Sequence, residues 1–362
     1  MIPIEHYSTV YHIGISFLVL VFCLELTKYS SNSTATKVPL SIFSFVVLTY
    51  VILFIGLRDP YASSLYLGDT GQYTRTFNSI NDIDISITKD VGFYVFMKLL
   101  SPLGVKMFYL ICAAIYILLP HITFKKWFGK YAIIATIVMI TSMSFWSFGI
   151  NGLRNGLAAA FFIYAIGLRR KTVWMIVWMI ISISFHKSML LPTVAYFLSR
   201  YVNNTKYLIY IWSGSILVSF FVGESSEIFI NNFFDLIGFQ DSRIDNIYAD
   251  ELDGLSLNRG FRIDFILYSS VAIILGYYYV IKKGFKDVLY TRLLNTYIIA
   301  NTAWILLIYV NYTNRVAYLS WFLMPIIFIY PLLRGLQLTN KIRWVQSIIM
   351  GSLIFTLLIF FK

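Results

Sequence analysis

Charge is what this sequence has little of. Only 13% of its 362 residues are charged and 59% are hydrophobic, whereas a soluble domain carries about 25% charged and about 45–50% apolar residues. With a mean hydropathy of +0.74, the chain cannot clothe a core in a polar skin, and the bilayer is its solvent. Cysteine is nearly absent: Cys23 and Cys112 both lie in apolar runs, which excludes a disulfide framework and a metal knuckle. The four histidines, His6, His12, His121 and His186, show no His-x-x-x-His or Cys/His spacing, so neither a metal nor another cofactor is expected. There is no strand-period alternation and no internal repeat. The start, MIPIEHYSTV, has no basic stretch before the first apolar run, so no cleaved signal peptide is expected. Disorder, nucleic-acid binding and a secreted fold are excluded at this stage.

What is present is a succession of apolar runs, each near the roughly 20 residues that a helix needs to cross a bilayer. They fall at about 9–27, 38–57, 103–123, 131–148, 150–168, 172–184, 187–200, 207–222, 261–281, 293–310, 316–333 and 344–361. The expectation is an all-α, polytopic integral membrane protein of eleven to twelve transmembrane segments, a single membrane domain over 1–362. The pair 172–184 and 187–200 is short, and Phe185-His186-Lys187-Ser188 reads as a turn between two spans or a kink in one. Lys and Arg mark the cytoplasmic side of short loops. They recur at every second loop, at Lys28/Lys37, Lys125/Lys126/Lys130, Arg169/Arg170/Lys171, Arg200/Lys206, Lys282–Arg292 and Arg334/Lys341/Arg343, which favours twelve spans with both termini outside.

That topology accounts for the formal charge of +12. The cytoplasmic loops collect 17 of the 29 Lys and Arg with only Glu25 and Asp287, while the outer face holds 12 bases and 15 acids. The net charge is thus a topology signal and not a sign of an anionic partner. Two long segments, about 58–102 and 223–260, face outward and hold most of the acids. Each contains an amphipathic stretch, Tyr73–Ile80 in one and Ile228–Phe239 in the other, suited to lie along the outer interface. Loops longer than about 15 residues are uncommon unless functional, so two on one face predict an outward-facing site.

Seven arginines break the positive-inside pattern: Arg58, Arg75, Arg154, Arg243, Arg259, Arg262 and Arg315. Several head an inward-running helix, as Arg154 does in INGLRNGLAAAF, Arg259 and Arg262 in NRGFRIDF, and Arg315 in NYTNRVAY. His186 and Lys187 hold the same place before 187–200. A cation at a helix N-terminus is unfavourable by about 0.3–1 kcal/mol, so these ends make poor stability design unless an anion binds there. Free N–H groups, helix dipoles and guanidinium forks together suit a phosphate; the plainer alternative is that the arginines snorkel or pair with outer carboxylates. Gly152, Gly156 and Ala160 form a small-residue stripe for close helix packing, and Asn151 is placed to cap that helix. Asp69, in GDTGQY, is a general base or the cap of the following turn. Asp264, two residues after Arg262, is a local partner for it or an intramembrane functional acid.

At these residues the chain resembles a family. GLRD (56–59), GDTGQYTRTF (68–77, with Tyr73), NGLRNGLAAAFFIYAIGLRRK (151–171), SFHKSMLLP (184–192), GFRIDFILYS (260–269) and NRVAYLSWFLMP (314–325) occur in the order seen in the EpsG-type branch of the bacterial polysaccharide polymerases, the Wzy proteins. The likeness covers about 56 to 330 and lies in order and spacing, with no single strong motif. It implies a GT-C-like, metal-independent glycosyltransferase in the bacterial cytoplasmic (inner) membrane, acting at the outer leaflet. Such an enzyme transfers a growing glycan from undecaprenyl diphosphate to a new lipid-linked oligosaccharide repeat unit, and undecaprenyl diphosphate leaves. O-antigen, capsule and exopolysaccharide all fit; partners would be the lipid-linked donor and acceptor and membrane lipid, with a chain-length regulator and a flippase of the same pathway as candidates.

On that reading Arg58, Arg154, Arg259, Arg262 and Arg315 hold the donor diphosphate, and Asp69 or His186 takes the acceptor proton. Asp69 is preferred because a carboxylate can also steady an oxocarbenium-like centre. Tyr73, Asn151, Lys187 and Asp264 are further site candidates. The alternatives are an O-antigen ligase, which shares the donor, and a flippase or transporter of lipid-linked oligosaccharide. The near-absence of charge at span centres argues against alternating access. A membrane acyltransferase fits the acidic outer loops and Arg-headed helices poorly.

Overall fold

The computed structural model describes residues 2–30, 39–85, 88, 90–223, 260–309, 313–336, 338 and 340–361. Every regular element among them is helical, as a chain in lipid must satisfy its backbone internally. Among the described residues six helical stretches are long and apolar enough to cross a membrane: Ile4–Lys28, Val105–Ile140, Thr205–Val222, Ile263–Lys282, Thr313–Leu333 and Lys341–Phe360. Four shorter apolar helices, Leu40–Gly56, Val91–Leu103, Leu153–Gly167 and Thr172–Phe185, accompany them. The protein is a polytopic, all-α membrane protein.

The described residues form two compact units. The first comprises Met1–Leu190 and Ile329–Lys362. It begins with α1 (Tyr7–Ser30), α2 (Leu40–Gly56) and the short α3 (Ser64–Leu67), α4 (Thr70–Asn78) and α5 (Val91–Leu100). Then come α6 (Val105–Phe128), α7 (Ala132–Ile140), α8 (Met143–Ile150), α9 (Leu153–Gly167) and α10 (Thr172–Phe185). Helix α6 lies between α2 and α9, and α9 packs along α10 and α8. One face of α2 (Val47, Val51 and Ile55) is wholly buried, and Gly56 lets its end meet the Leu110 backbone. Gly156 does the same for α9, since a Cβ there would sit 2.5 Å from the Phe148 carbonyl oxygen. The small-residue stripe therefore serves close packing, against α8.

One apolar run is more broken than expected, and a second breaks where the sequence places a turn or kink. The run 131–148 divides into α7 and α8 at Thr141-Ser142, whose hydroxyls bond back to the Val138 and Met139 carbonyls, the local competition that such residues offer a helix. The freed Thr141 carbonyl accepts from Ser352 and Thr356 of the C-terminal helix (Lys341–Phe360). The run 172–200 breaks at His186, which is extended (φ −155°, ψ 114°) between α10 and a 3-10 turn at Lys187–Met189. The segment 58–102 is largely helical, carrying α3, α4 and α5. Its amphipathic stretch is α4, with Thr70, Tyr73, Thr74 and Phe77 buried. The second expected stretch, 228–239, lies outside the described residues.

The second unit, Leu191–Phe328, comprises most of α11 (Leu190–Tyr201), α12 (Thr205–Val222), α13 (Ile263–Tyr277), α14 (Val288–Leu306), α15 (Thr313–Trp321) and the start of α16 (Met324–Leu333); the C-terminal helix is α17. Asn301 joins four helices. Its Oδ1 accepts from Trp212 Nε1 at 2.7 Å, and its Nδ2 donates to Ser269 and Ser320. Trp321 Nε1 donates to the same Ser269 hydroxyl. In an apolar solvent such polar glue helps to fix which helices associate.

Candidate active site

Three segments of the first unit meet around a buried carboxylate that does not stand out in the sequence. Asp90 is the residue before α5 and is 4% exposed. An Asp at that position ordinarily caps its own helix, yet no side-chain cap forms here. Its oxygens turn to other elements instead. Oδ2 accepts from Arg154 Nη1 at 2.6 Å, and Oδ1 accepts from the Lys187 backbone N–H at 3.2 Å. His186 Nδ1 stands 3.5 Å from Oδ1, an electrostatic contact that leaves Nδ1 without a hydrogen-bond partner. Burial pushes the Asp90 carboxyl up, but His186, Arg154 and the Lys187 N–H outweigh it and hold it below the ordinary value of 3.8.

The approach depends on local backbone. Extended geometry at His186 stops α10 and presents the Lys187 N–H to Asp90. Gly92 lets the start of α5 close on Ser184, because a Cβ there would meet the Ser184 hydroxyl and come within 3.0 Å of its backbone carbon. Arg154 is the second residue of α9 and keeps its side chain 34% exposed. The Tyr73 side chain lies near its guanidinium, and Arg154 still reaches solvent.

Tyr73 and Asn151 tie this group to the Asp69 turn. The Tyr73 hydroxyl donates to the Asn151 carbonyl at 3.3 Å, and Asn151 Oδ1 accepts the Asp69 N–H at 3.0 Å. Asn151 therefore does not cap α9, whose N-cap is Gly152 without a side-chain bond; its amide is spent on holding the other segment. Asp69 likewise precedes α4 without capping it, which leaves its carboxylate uncommitted to that helix. Gly68 has φ +51°, a left-handed conformation that favours glycine, and a Cβ there would lie 2.6 Å from Asn151 Oδ1. A polar cleft of about 430 Å³ opens beside this turn, lined by Asp69, Gln72, Arg75 and Asn78 among others.

The remaining candidates are placed differently. Arg58 is 1% exposed. Its Nη1 donates to the Ile55 and Gly149 carbonyls, and its guanidinium lies 4.0 Å from the Tyr109 ring centroid. It joins the end of α2 to α8, and its Nε and Nη2 are buried without a hydrogen-bond partner. Arg262, at the start of α13 in the second unit, forms a two-pronged pair with Asp264 at 2.9 and 2.6 Å, so Asp264 is its local partner. Arg315 is the third residue of α15. Arg259 lies outside the described residues. Lys187 is exposed and joins the group through its backbone. No group of metal-binding side chains occurs among the described residues.

In the sequence a lone Asp before an apolar run, such as Asp90 before VGFYVFMKLL, reads as a helix cap. The only signal was that the run it precedes, VGFYVFMKLL, begins with a glycine one position into the helix. A family model described as the EpsG family matches residues 42–362. No curated protein and no solved structure matches the chain.

Proposed function

The chain belongs to the EpsG family, a family of Wzy-type polysaccharide polymerases, and from that premise we propose its donor, its side of the membrane and its working residues. The donor is an undecaprenyl-diphosphate-linked oligosaccharide, the acceptor a second lipid-linked repeat unit, and the site faces outward from a twelve-span topology in the bacterial cytoplasmic membrane. The observation that carries this reading is Arg154. It stands at the start of α9, half-exposed, with Nη1 fixed on buried Asp90. Such an arginine keeps further donors in a rigid fork suited to phosphate oxygens.

In the reaction the acceptor hydroxyl oxygen attacks the anomeric carbon of the donor. The bond from that carbon to the phosphate oxygen breaks, and the electron pair leaves with undecaprenyl diphosphate. Asp69 takes the hydroxyl proton, which its place in the lining of a polar cleft supports. Arg154 meets the charge growing on the leaving oxygen, a role worth several kcal/mol when donors are preorganised (about 3–4 for a single oxyanion donor). His186 shares Asp90 with Arg154, which favours a place beside the diphosphate over the role of base. Asp90 is a positioning residue, and Tyr73 and Asn151 hold the Asp69 and Arg154 segments together. Donor contacts proposed for Arg262 and Arg315 rest on their helix-start positions, and that for Arg259 on sequence.

The test is the glycan of a deletion strain complemented with variants at equal protein level. Wild type restores long chains, whereas Arg154→Ala and Asp69→Asn leave single repeat units. Full-length chains from Arg154→Ala would sink the diphosphate assignment; full-length chains from Asp69→Asn would sink the base.

A further inference from the structure

Helices α9 and α10 form a hairpin with Arg154 and His186 at its open end. At its closed end, about 22 Å away by the rise of a 15-residue helix, lies a second polar feature that this chemistry does not use. A pocket of about 400 Å³ is lined by Lys126, Trp127, Arg169, Arg170, Lys171 and Arg334, with Gly167, Leu168 and Tyr330. Among the described residues five cations line it and no carboxylate does. Lys171 is close enough to Lys126 for the two charges to repel. Lys171 is also the N-cap of α10, and no side chain caps that helix, so a cation sits at the positive end of a helix dipole.

An independent observation points to a missing acceptor. Trp127 is 6% exposed, and its Nε1–H is buried without a hydrogen-bond partner. A buried indole N–H usually finds one. An anion in this pocket would meet the uncapped end of α10 and the surrounding cations together, beside the Trp127 side chain. The first turn of α10 also presents Val173 and Trp174 outward, 73% and 57% exposed, next to the pocket. Apolar side chains there suit acyl chains, and a tryptophan at a helix end suits the headgroup level.

We infer that this pocket binds the phosphate of an anionic membrane lipid, with the headgroup among Lys126, Arg170 and Lys171 and the acyl chains along α10. Basic pockets between helices on the cytoplasmic side of membrane proteins take such headgroups. The inference needs no particular reading of the Arg154 site.

The test is binding of a fluorescent phosphatidylglycerol to the purified full-length protein in detergent, with phosphatidylcholine as control. A parallel arm follows thermal unfolding with inorganic phosphate alone. Wild type should bind phosphatidylglycerol and not phosphatidylcholine. Lys126→Gln with Arg170→Gln and Lys171→Gln should weaken binding on the order of 100-fold, from about five-fold per charge. Trp127→Phe, which keeps the ring and removes the N–H, should weaken it while the protein stays folded. Equal binding of the two lipids, or undiminished binding by the triple variant, would overturn the site. Stabilisation by inorganic phosphate without any binding of phosphatidylglycerol would overturn the lipid as occupant.

Discussion

Asp90→Asn is the substitution on which the proposed arrangement depends most. It keeps shape and volume but removes the charge that Arg154 Nη1 meets at 2.6 Å. Breaking a buried ion pair from one side costs about 3–5 kcal/mol. Asp90 is 5% exposed in its side chain, but Arg154 is 34% exposed, so water recovers part of that loss. A cost of about 1–3 kcal/mol, in the range of one hydrogen bond between charged groups, is expected. If it falls on the orientation of Arg154, polymerisation slows about 5- to 150-fold. The assay is chain-length distribution and polymer yield in a deletion strain, with membrane levels of the variant matched to wild type. Short chains and single units should dominate, and Asp90→Glu should recover part of the length by restoring the charge. A wild-type distribution from Asp90→Asn at wild-type protein level would refute the reasoning.

Asp90 also predicts a pH dependence. Its carboxyl is held below its ordinary value, so it contributes stability that is present above about pH 4 and is lost as pH falls through its folded value. The difference in melting temperature between wild type and Asp90→Asn should be constant at neutral pH and shrink in acid, and a difference that grows in acid would contradict the assignment. Gly92→Ala should destabilise by about 1–3 kcal/mol through overpacking against Ser184, read by thermal unfolding in detergent, and should lower polymer yield as α5 is pushed from His186. Asn151→Ala should cost about 1 kcal/mol through the lost acceptor for the Asp69 N–H and shorten chains. Arg262→Gln removes an exposed pair with Asp264, worth about 0–1 kcal/mol; near-normal stability with short chains is expected, and normal chains would remove Arg262 from the donor site.

Much of the helical pattern was legible because long apolar runs report burial in lipid directly. The breaks within it were not. Thr141-Ser142 interrupts one apolar run through hydroxyls that bond back to their own turn, and hydropathy treats such residues as nearly neutral. The site was half legible. Arg154, His186, Tyr73, Asn151 and Asp69 stood out as polar residues in unusual places, and they do meet in one group. Their partner did not stand out, since Asp90 resembles an ordinary cap until α5 is seen to approach Ser184. Arg58 looked like an outer-face arginine from its position after an apolar run. Only the packing of α2 on α6 and α8 shows it buried over Tyr109. The basic run Arg169–Lys171 read as a topology marker, and only the fold adds Lys126, Arg334 and the unpartnered Trp127 N–H to it.

The central claim is that Arg154 holds a diphosphate that leaves as sugar units are joined. Purified protein in liposomes, supplied with a defined undecaprenyl-diphosphate-linked repeat unit, tests it by the masses of glycan and lipid products. The account predicts lengthened lipid-linked glycans, with one undecaprenyl diphosphate released per new linkage, and none of either from Arg154→Ala. Wild-type lengthening by Arg154→Ala, or movement of the unit across the bilayer by wild type without any lengthening, would contradict it.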